Sequence, residues 1–346
     1  MIDFRNRYQA GVNLGGWISQ YGDSGRDHFE QFIGESDVAR IADWGMDHVR
    51  VPVDYPVLDG GDGAFDERGF GYVDDCLRWC RDHDLDLIVD LHEAPGYSFD
   101  NLENNRLFDD DRLRDRFVDL WREFAHRYES AGDEVVFELL NEVVEPTSER
   151  WNALAHRTVD AVHEVDPDRC VLVGSNRYNS ADELASLELG YEGPVAYTFH
   201  LYDPFLFTHQ HAGWTPLGEL SGDIEYPTDR AAVEPLLDDL AADEDDVEPT
   251  GEEEWIPIDR SGIEAAVEPA VAFREETGAS LYCGEYGAID EAPVRSRVRW
   301  YDDVVDVLSE HDIGRGCWSY KEMNFGLVDG EGSVVNEDIV DIVSRS

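Results

Sequence analysis

The chain contains little positive charge. Only 27 of its 346 residues are Lys or Arg, against 78 Asp or Glu, so the formal net charge is −51. A single lysine, Lys321, is present. Nucleic acid and anionic membrane surfaces would repel such a protein, which excludes both as partners. Because the acidity is spread along the whole sequence and salt screens self-repulsion, the composition predicts a protein adapted to a salt-rich environment.

Cysteine is also scarce, and its spacing matches neither a zinc site nor a disulfide framework. The five cysteines are Cys76, Cys80, Cys170, Cys283 and Cys317. We therefore expect buried free thiols and no metal, which favours a reducing compartment. No apolar run approaches the roughly 18 residues of a membrane helix, and residues 1–14 lack the apolar core of a signal peptide. These features predict a monomeric cytoplasmic protein; removal of a leader would leave an extracellular location open.

Apolar residues make up 42% of the chain and aromatic residues 11%, enough for a large core and for stacking against sugars. Short apolar runs alternate with helix-like segments from end to end. The runs are Ala10–Leu14, His48–Val53, Leu85–Leu91, Val135–Leu140, Cys170–Gly174, Val195–Phe199, Ser280–Cys283 and Gly316–Trp318. The helical segments include Ser36–Trp44, Gly71–His83, Arg112–Ser130, Ser148–Val165, Gly262–Thr277 and Val294–His311.

Eight strand–helix units in a chain of this length predict a single (β/α)8 TIM barrel, an α/β fold that spans residues 1–346 as one domain. A doubly wound sheet is the alternative, but no Gly-rich phosphate loop follows the first run. One connection, residues 203–261 after the sixth strand, is far longer than the others. We expect its aromatic first part to form a wall of the active site. Its acidic part, Asp238–Glu254, is expected to be a solvated loop, with a short helix near Ala231–Leu240.

Two of the apolar runs lead into a glutamate, Glu142 after FELLN and Glu285 after LYCG. A barrel gathers the carboxyl ends of its strands on one face, where the active site lies. A pair of carboxylates there is what glycoside hydrolysis with retention requires, since one protonates the leaving oxygen and the other attacks the anomeric carbon. Glu142 would need a raised pKa to remain protonated near neutral pH.

Other strand ends carry side chains suited to the same chemistry. Arg50 and the Tyr202 hydroxyl can stabilise an ionised Glu285, and Asn141 can hold the sugar 2-hydroxyl. His92 and His200 can bind sugar hydroxyls or orient the glutamates, while Trp318 offers a flat face beneath a sugar ring. The dipeptide His92-Glu93 is also compatible with a metal-dependent hydrolase. However, no His-x-His follows the first strand and the remaining acids form no ligand set, so we expect no metal.

These residues resemble, in identity and in order, the active-site positions of glycoside hydrolase family 5. The matching residues are Arg50, His92, Asn141, Glu142, His200, Tyr202, Glu285 and Trp318. The resemblance extends over nearly the whole chain. It implies that Glu142 is the acid/base, that Glu285 is the nucleophile and that no cofactor is needed.

Shorter motifs resemble particular branches of that family. GVNLGGW (Gly11–Trp17), DLHEAPG (Asp90–Gly96) and WSYK (Trp318–Lys321) are similar to exo-β-1,3-glucanases and β-glucosidases, whereas DPFLFTHQHAGW (Asp203–Trp214) is similar to bacterial cellulases. Val143 departs from the family, in which proline commonly follows the Asn-Glu pair. Further substrate-binding candidates are Trp17, Tyr97, Phe205, His209, Gln210, Trp214, Lys321 and Asn324.

The sequence thus predicts a retaining glycoside hydrolase that cleaves β-glucosidic bonds in β-glucans or their oligosaccharides. Within the same family, a β-mannanase or another β-glycosidase is the alternative. A transglycosylase would use the same covalent intermediate. From another class, a non-catalytic carbohydrate-binding barrel would share the fold, although it would have no need of two carboxylates so placed.

Overall fold

The computed structural model describes residues 4, 7–22, 25–243 and 255–346. Its centre is a closed barrel of eight parallel strands. In chain order these are β1 (Ala10–Asn13), β2 (His48–Asp54), β3 (Asp86–Glu93), β4 (Val135–Glu138), β5 (Val171–Gly174), β6 (Val195–Leu201), β7 (Leu281–Tyr286) and β8 (Gly314–Cys317). Each strand pairs with its neighbours in sequence, and β8 closes on β1 with Gly11 opposite Gly316. The predicted TIM barrel is confirmed.

The helices surround this barrel. They are α1 (Arg26–Phe29), α2 (Glu35–Asp43), α3 (Tyr55–Leu58), α4 (Glu67–Asp82), α5 (Asp111–Tyr128), α6 (Glu149–His163), α7 (Asn176–Asn179), α8 (Phe205–Thr208), α9 (Arg230–Asp243), α10 (Arg260–Thr277), α11 (Val294–Glu310) and α12 (Glu337–Val343). Short 3₁₀ turns cover Leu102–Asn104, Glu129–Glu134, Ala181–Ser186 and Pro216–Glu219. A small hairpin pairs Asp59–Gly61 with Ala64–Phe65.

Helix α5 shows how the sequence builds the outer layer. The Asp110 carboxylate accepts the backbone N–H of Arg112 and so caps the first turn. Apolar side chains that recur at helical spacing are then buried against the barrel, among them Phe117, Trp121 and Phe124. The Trp121 indole N–H donates to the Leu139 carbonyl just after β4, at 3.1 Å. This bond ties the helix to the chain segment that leads to Glu142.

The long connection after β6 is more structured than the sequence indicates. It contains α8, a 3₁₀ turn and α9, and α9 continues to Asp243 despite Pro235 within it. The first residues of the acidic run Asp238–Glu254 therefore belong to a helix and not to a loop; residues 244–254 lie outside the described residues. All five cysteines are buried. Within the described ranges, no helix has the length and apolar character needed to cross a membrane.

Candidate active site

Arg50 occupies the centre of the barrel, and its side chain is fully buried. Its Nε and Nη2 donate to the two oxygens of Glu138, at 2.7 and 3.0 Å, and Nη1 donates to Glu285 at 2.8 Å. Nη2 also lies 3.1 Å from Oδ2 of Asp90. Burial opposes the charge of Arg50, but the acidic side chains around it raise its pKa well above the ordinary value. One permanent cation thus serves three acidic side chains.

Asn13 also binds this guanidinium and holds it in place. Its Oδ1 accepts from Arg50 Nη1 at 2.7 Å. Its Nδ2 donates to the carbonyls of Gly284, Gly316 and Cys317, at 3.0–3.2 Å. Asn13 therefore joins β1, β7 and the end of β8 to the residue that holds Glu285.

Glu285 ends up opposite His200 because the pairing of β6 with β7 shifts register between Phe199 and His200. Besides Arg50 Nη1 on Oε1, the Tyr202 hydroxyl donates to Glu285 Oε2 at 2.8 Å. A cation and a hydroxyl donor on the two oxygens stabilise a carboxylate and hold it in one orientation.

Glu142 lies four residues beyond β4, and its backbone has a positive φ of 46°. Tyr97 stabilises this conformation: its hydroxyl donates to the Glu142 carbonyl at 2.8 Å and accepts the Val144 N–H at 2.7 Å. The Glu142 side chain is 14% exposed. Burial raises its pKa to about 8, and Arg50 opposes this rise only in part. Glu142 therefore carries a proton at neutral pH.

His200 links the two glutamates. Its Nδ1 lies 2.9 Å from Glu142 Oε1 and 3.5 Å from Glu285 Oε2. Asn179 Nδ2 is 3.2 Å from the other ring nitrogen, Nε2. Burial lowers the pKa of His200 to about 4, so the ring is neutral; Nε2 accepts from Asn179 and Nδ1 donates to the glutamates.

One carboxylate oxygen of Glu142 and one of Glu285 lie within 4.8 Å of each other. This upper limit is near the roughly 5–5.5 Å between the carboxyl groups of retaining glycosidases and below the roughly 6.5–9.5 Å of inverting enzymes. With His200, the two glutamates could also be read as a three-ligand cation site. The Arg50 guanidinium, 2.8 Å from Glu285, places a positive charge where such a cation would compete with it.

Trp318 and His92 form the floor beside the glutamates, with their rings stacked at 5.6 Å and an interplanar angle of 5°. Trp318 fits there because residue 15 is glycine, since a Cβ on Gly15 would come within 2.8 Å of the Trp318 ring. Asn141 Oδ1 accepts from Arg50 at 3.0 Å, and its buried Nδ2 has no partner within the part of the chain that the structure describes. A buried N–H group without a partner, next to two carboxyl groups, is well placed to donate a hydrogen bond to a sugar hydroxyl.

These residues open onto a cleft of about 1390 Å³. Many of the predicted residues line it: His92, Asn141, Glu142, His200, Tyr202, Phe205, His209, Trp214, Glu285, Trp318 and Asn324. Phe205, Trp214 and Tyr178 stand out because they are large aromatic side chains that remain 46%, 58% and 47% exposed in the structure while lining this cleft. Flat exposed faces of this kind are suited to stacking on sugar rings.

Other predicted side chains do not reach the cleft. Trp17 is fully buried and donates to the Phe29 carbonyl at 2.7 Å, so the prediction of a sugar subsite there is wrong. Gln210 is likewise fully buried and ties the long connection together through Phe207 and Ile224. Lys321 donates to the Phe32 carbonyl at 3.0 Å and lies over the Phe32 ring.

Tyr97 and Arg50 contact the glutamates and not the cleft space. Tyr97 is 3% exposed and holds the Glu142 backbone, whereas the predicted role was sugar binding. Sequence reasoning assigned no role to Asn13, Asp90 or Glu138, and it missed the cleft residues Gln20 and Tyr178. The alternation of side chains along β3 did indicate Asp90. Residues two apart on a strand face the same side, so Asp90 lies on the same face as His92.

A closed (β/α)8 barrel with two closely spaced carboxyl groups at the ends of β4 and β7 defines an O-glycosyl hydrolase. The model of the cellulase family, glycosyl hydrolase family 5, matches residues 8–324. The chain belongs to this family.

Its relatives include endoglucanase C of Acetivibrio thermocellus, which is 40% identical over 98% of both chains. Cellodextrinase A of Ruminococcus flavefaciens is 37% identical over 89% of this chain and 84% of its own length. Among solved structures, the endoglucanase Cel5A of Thermotoga maritima superposes with a TM-score of 0.78 over 99% of this chain and all of that one, at 21% identity. The last comparison shows the shared fold.

Proposed function

We propose that this enzyme is an endo-acting β-1,4-glucanase that cleaves its substrate with retention, with Glu285 as nucleophile and Glu142 as acid/base. The approach of one oxygen of each glutamate to within 4.8 Å carries the assignment of retention, because it leaves no room for a water molecule to attack from the opposite face of the sugar.

In the first step an oxygen of Glu285 attacks the anomeric carbon while the bond to the leaving glycosidic oxygen breaks. The proton of Glu142 passes to that oxygen, so the released sugar is neutral and Glu142 becomes a carboxylate. In the second step Glu142 takes a proton from water, the resulting hydroxide attacks the anomeric carbon and Glu285 leaves as a carboxylate. Two inversions give net retention.

The neighbours of the two glutamates support this division of roles. Glu285 receives the donors, Arg50 and Tyr202, that stabilise a negative charge. Glu142 lies in the buried environment that keeps a carboxyl group protonated. The His200 N–H, which faces both, can stabilise the charge that moves from Glu285 to Glu142 during the first step.

The size and lining of the cleft support a polymeric substrate. At about 1390 Å³ it exceeds the roughly 300–1,000 Å³ of common small-molecule sites, so several sugar units fit. The exposed rings of Tyr178, Phe205 and Trp214 provide stacking faces along it. The names endoglucanase and cellodextrinase, borne by relatives at 40% and 37% identity, favour a β-1,4-linked glucan.

The roles are tested by nucleophile rescue. Glu285→Gly should abolish turnover of an aryl β-glycoside and regain it with azide, yielding the α-glycosyl azide. Glu142→Ala should yield the β-glycosyl azide from activated substrates. The opposite pair of products would exchange the two roles.

The substrate is tested with cello-, laminari-, gentio- and manno-oligosaccharides. We expect cleavage of cello-oligosaccharides at internal bonds and, by NMR, initial release of the β-anomer. Release of single glucose units from one end would replace endo by exo action. Faster cleavage of the manno series would make the enzyme a mannanase, and coupled products with an added acceptor sugar would reveal transglycosylation.

A further inference from the structure

Asp90 and His92 form a buried pair beneath the cleft. Asp90 is fully buried on β3, and His92, two residues further on the same face, is 1% exposed. His92 Nδ1 lies 2.8 Å from Asp90 Oδ2. The other ring nitrogen, Nε2, lies 3.2 Å from Oε1 of Gln20, which is a cleft residue.

Counting protons defines the state of this pair. An amide oxygen only accepts, so the contact between Gln20 Oε1 and His92 Nε2 requires a proton on Nε2. The contact between His92 Nδ1 and Asp90 Oδ2 requires a second proton between those two atoms. A neutral imidazole carries only one proton. The additional proton therefore resides either on His92, as an imidazolium, or on Asp90.

Two observations favour Asp90. Its second oxygen, Oδ1, is buried without a partner among the described residues, and this is far less costly for the carbonyl oxygen of a neutral acid than for a carboxylate. Burial also raises the pKa of Asp90 to about 7, opposed by Arg50, and lowers the pKa of His92 to about 3.

We propose that Asp90 is protonated in the resting enzyme and donates to Nδ1 of a neutral His92 whose Nε2–H donates to Gln20. Asp90 is then a positioning residue. Because its side chain is uncharged, the Arg50 guanidinium 3.1 Å away remains committed to Glu138 and Glu285.

Loss of this proton would place a third negative charge, that of Asp90, next to the same guanidinium. The charged or titratable groups around the pair are Arg50 on β2, Glu138 on β4, Glu142 beyond β4, His200 on β6, Glu285 on β7, and Asp54 and Asp100 nearby. Burial lowers the pKa of His200 to about 4, so this ring is neutral, and the other groups apart from Arg50 are acids. Ionised Asp90 therefore has one cation to pair with and competes for it with the proposed nucleophile. Turnover should therefore require the Asp90 proton as well as the Glu142 proton, an inference that rests on the proposed function.

The protonation state is tested on the intact protein by ¹⁵N NMR of the histidine rings at pH 6, with His92 assigned from the signals lost in His92→Gln. We expect a neutral ring with the proton on Nε2. A proton on Nδ1 alone, or an imidazolium, would overturn the assignment. This readout needs no turnover, so its failure is distinct from a failure of the proposed function.

The consequence for Arg50 is tested by the pH dependence of kcat/KM. Since two protons are needed, kcat/KM of the wild type should fall about 20-fold between pH 6 and 8. In Asp90→Asn, which has no proton to lose at this site, kcat/KM should fall only about twofold. Asp54→Asn is the matched control. It removes another buried carboxyl group, one that accepts the Gln20 backbone N–H, and should leave the steep wild-type limb in place. Equal losses in the wild type and Asp90→Asn would overturn the link to Arg50.

Discussion

Nη1 of Arg50 lies 2.8 Å from Oε1 of Glu285, and both side chains are buried inside the barrel. The same guanidinium uses Nε and Nη2 for both oxygens of Glu138. This geometry depends on a planar fork of donors, which lysine cannot reproduce. The proposed nucleophile is thus oriented from beneath by a group that does not face the cleft.

Arg50→Lys should therefore reduce kcat by about two orders of magnitude or more, since a mispositioned catalytic group costs on that scale. The variant should also unfold more easily, because removal of one partner from buried ion pairs costs about 3–5 kcal/mol. Arg169→Lys is a matched control, a buried arginine bound to Asp166 and backbone carbonyls remote from the glutamates. It should lower the melting temperature without a comparable loss of kcat at a temperature where both proteins are folded. Wild-type kcat in Arg50→Lys would refute the orienting role.

Burial of Glu142 should destabilise the protein as the pH rises. The ordinary pKa of an exposed glutamate is about 4.5, and burial raises that of Glu142 to about 8, so the unfolded chain loses this proton first. Between these values the folded state binds more protons than the unfolded state, and stability falls as pH increases. Glu142→Gln escapes this penalty. Its melting temperature relative to wild type should rise from pH 4.5 to 8 and level off at higher pH.

Thermal unfolding of both proteins across pH 4–9 measures this difference. Glu322→Gln is a control for the loss of a carboxyl group outside the cluster around Arg50. A constant difference between Glu142→Gln and wild type would show that Glu142 ionises normally in the folded enzyme.

Tyr97 should act through the backbone of Glu142. Removal of its hydroxyl leaves the Glu142 carbonyl and the Val144 N–H without their shared partner. Tyr97→Phe should cost about 1–3 kcal/mol of stability and lower kcat more than it changes KM, because the acid/base shifts while the sugar contacts remain.

Tyr191→Phe is the matched control, since its buried hydroxyl has no hydrogen-bond partner among the described residues. It should be neutral or slightly stabilising. Chemical denaturation and initial rates on cello-oligosaccharides compare the two variants. An increase in KM alone for Tyr97→Phe would restore the sugar-binding role that the sequence suggested.

The sequence predicts the barrel well because the strands are buried on both faces and read as short apolar runs, with Val171–Gly174 as an example. Glu142 and Glu285 follow from the rule that strand ends converge. The rule fails for Trp17, because whether an aromatic ring after a strand faces the cleft or the core depends on the path of the loop. Gln20, three residues later, lines the cleft and has a left-handed backbone conformation that no local sequence pattern predicted.

Asn13 and Glu138 were given no role by the sequence for a related reason. Both lie inside the barrel, and their importance arises from contacts with Arg50 across strands that are distant in sequence. Only the assembled barrel shows that one arginine serves several acids.

The acidic composition leads to the last prediction. At a net charge of −51 the folded chain repels itself, whereas the unfolded chain can spread this charge over a larger volume. Molar salt shortens the Debye length to roughly 3 Å and removes most of the surface repulsion. Thermal unfolding from 0.1 to 3 M KCl should therefore show a steep rise in melting temperature. Sucrose, which is excluded from protein surfaces but carries no charge, is the control and should give a smaller rise. A melting temperature independent of KCl would show that the acidity is not an adaptation to salt.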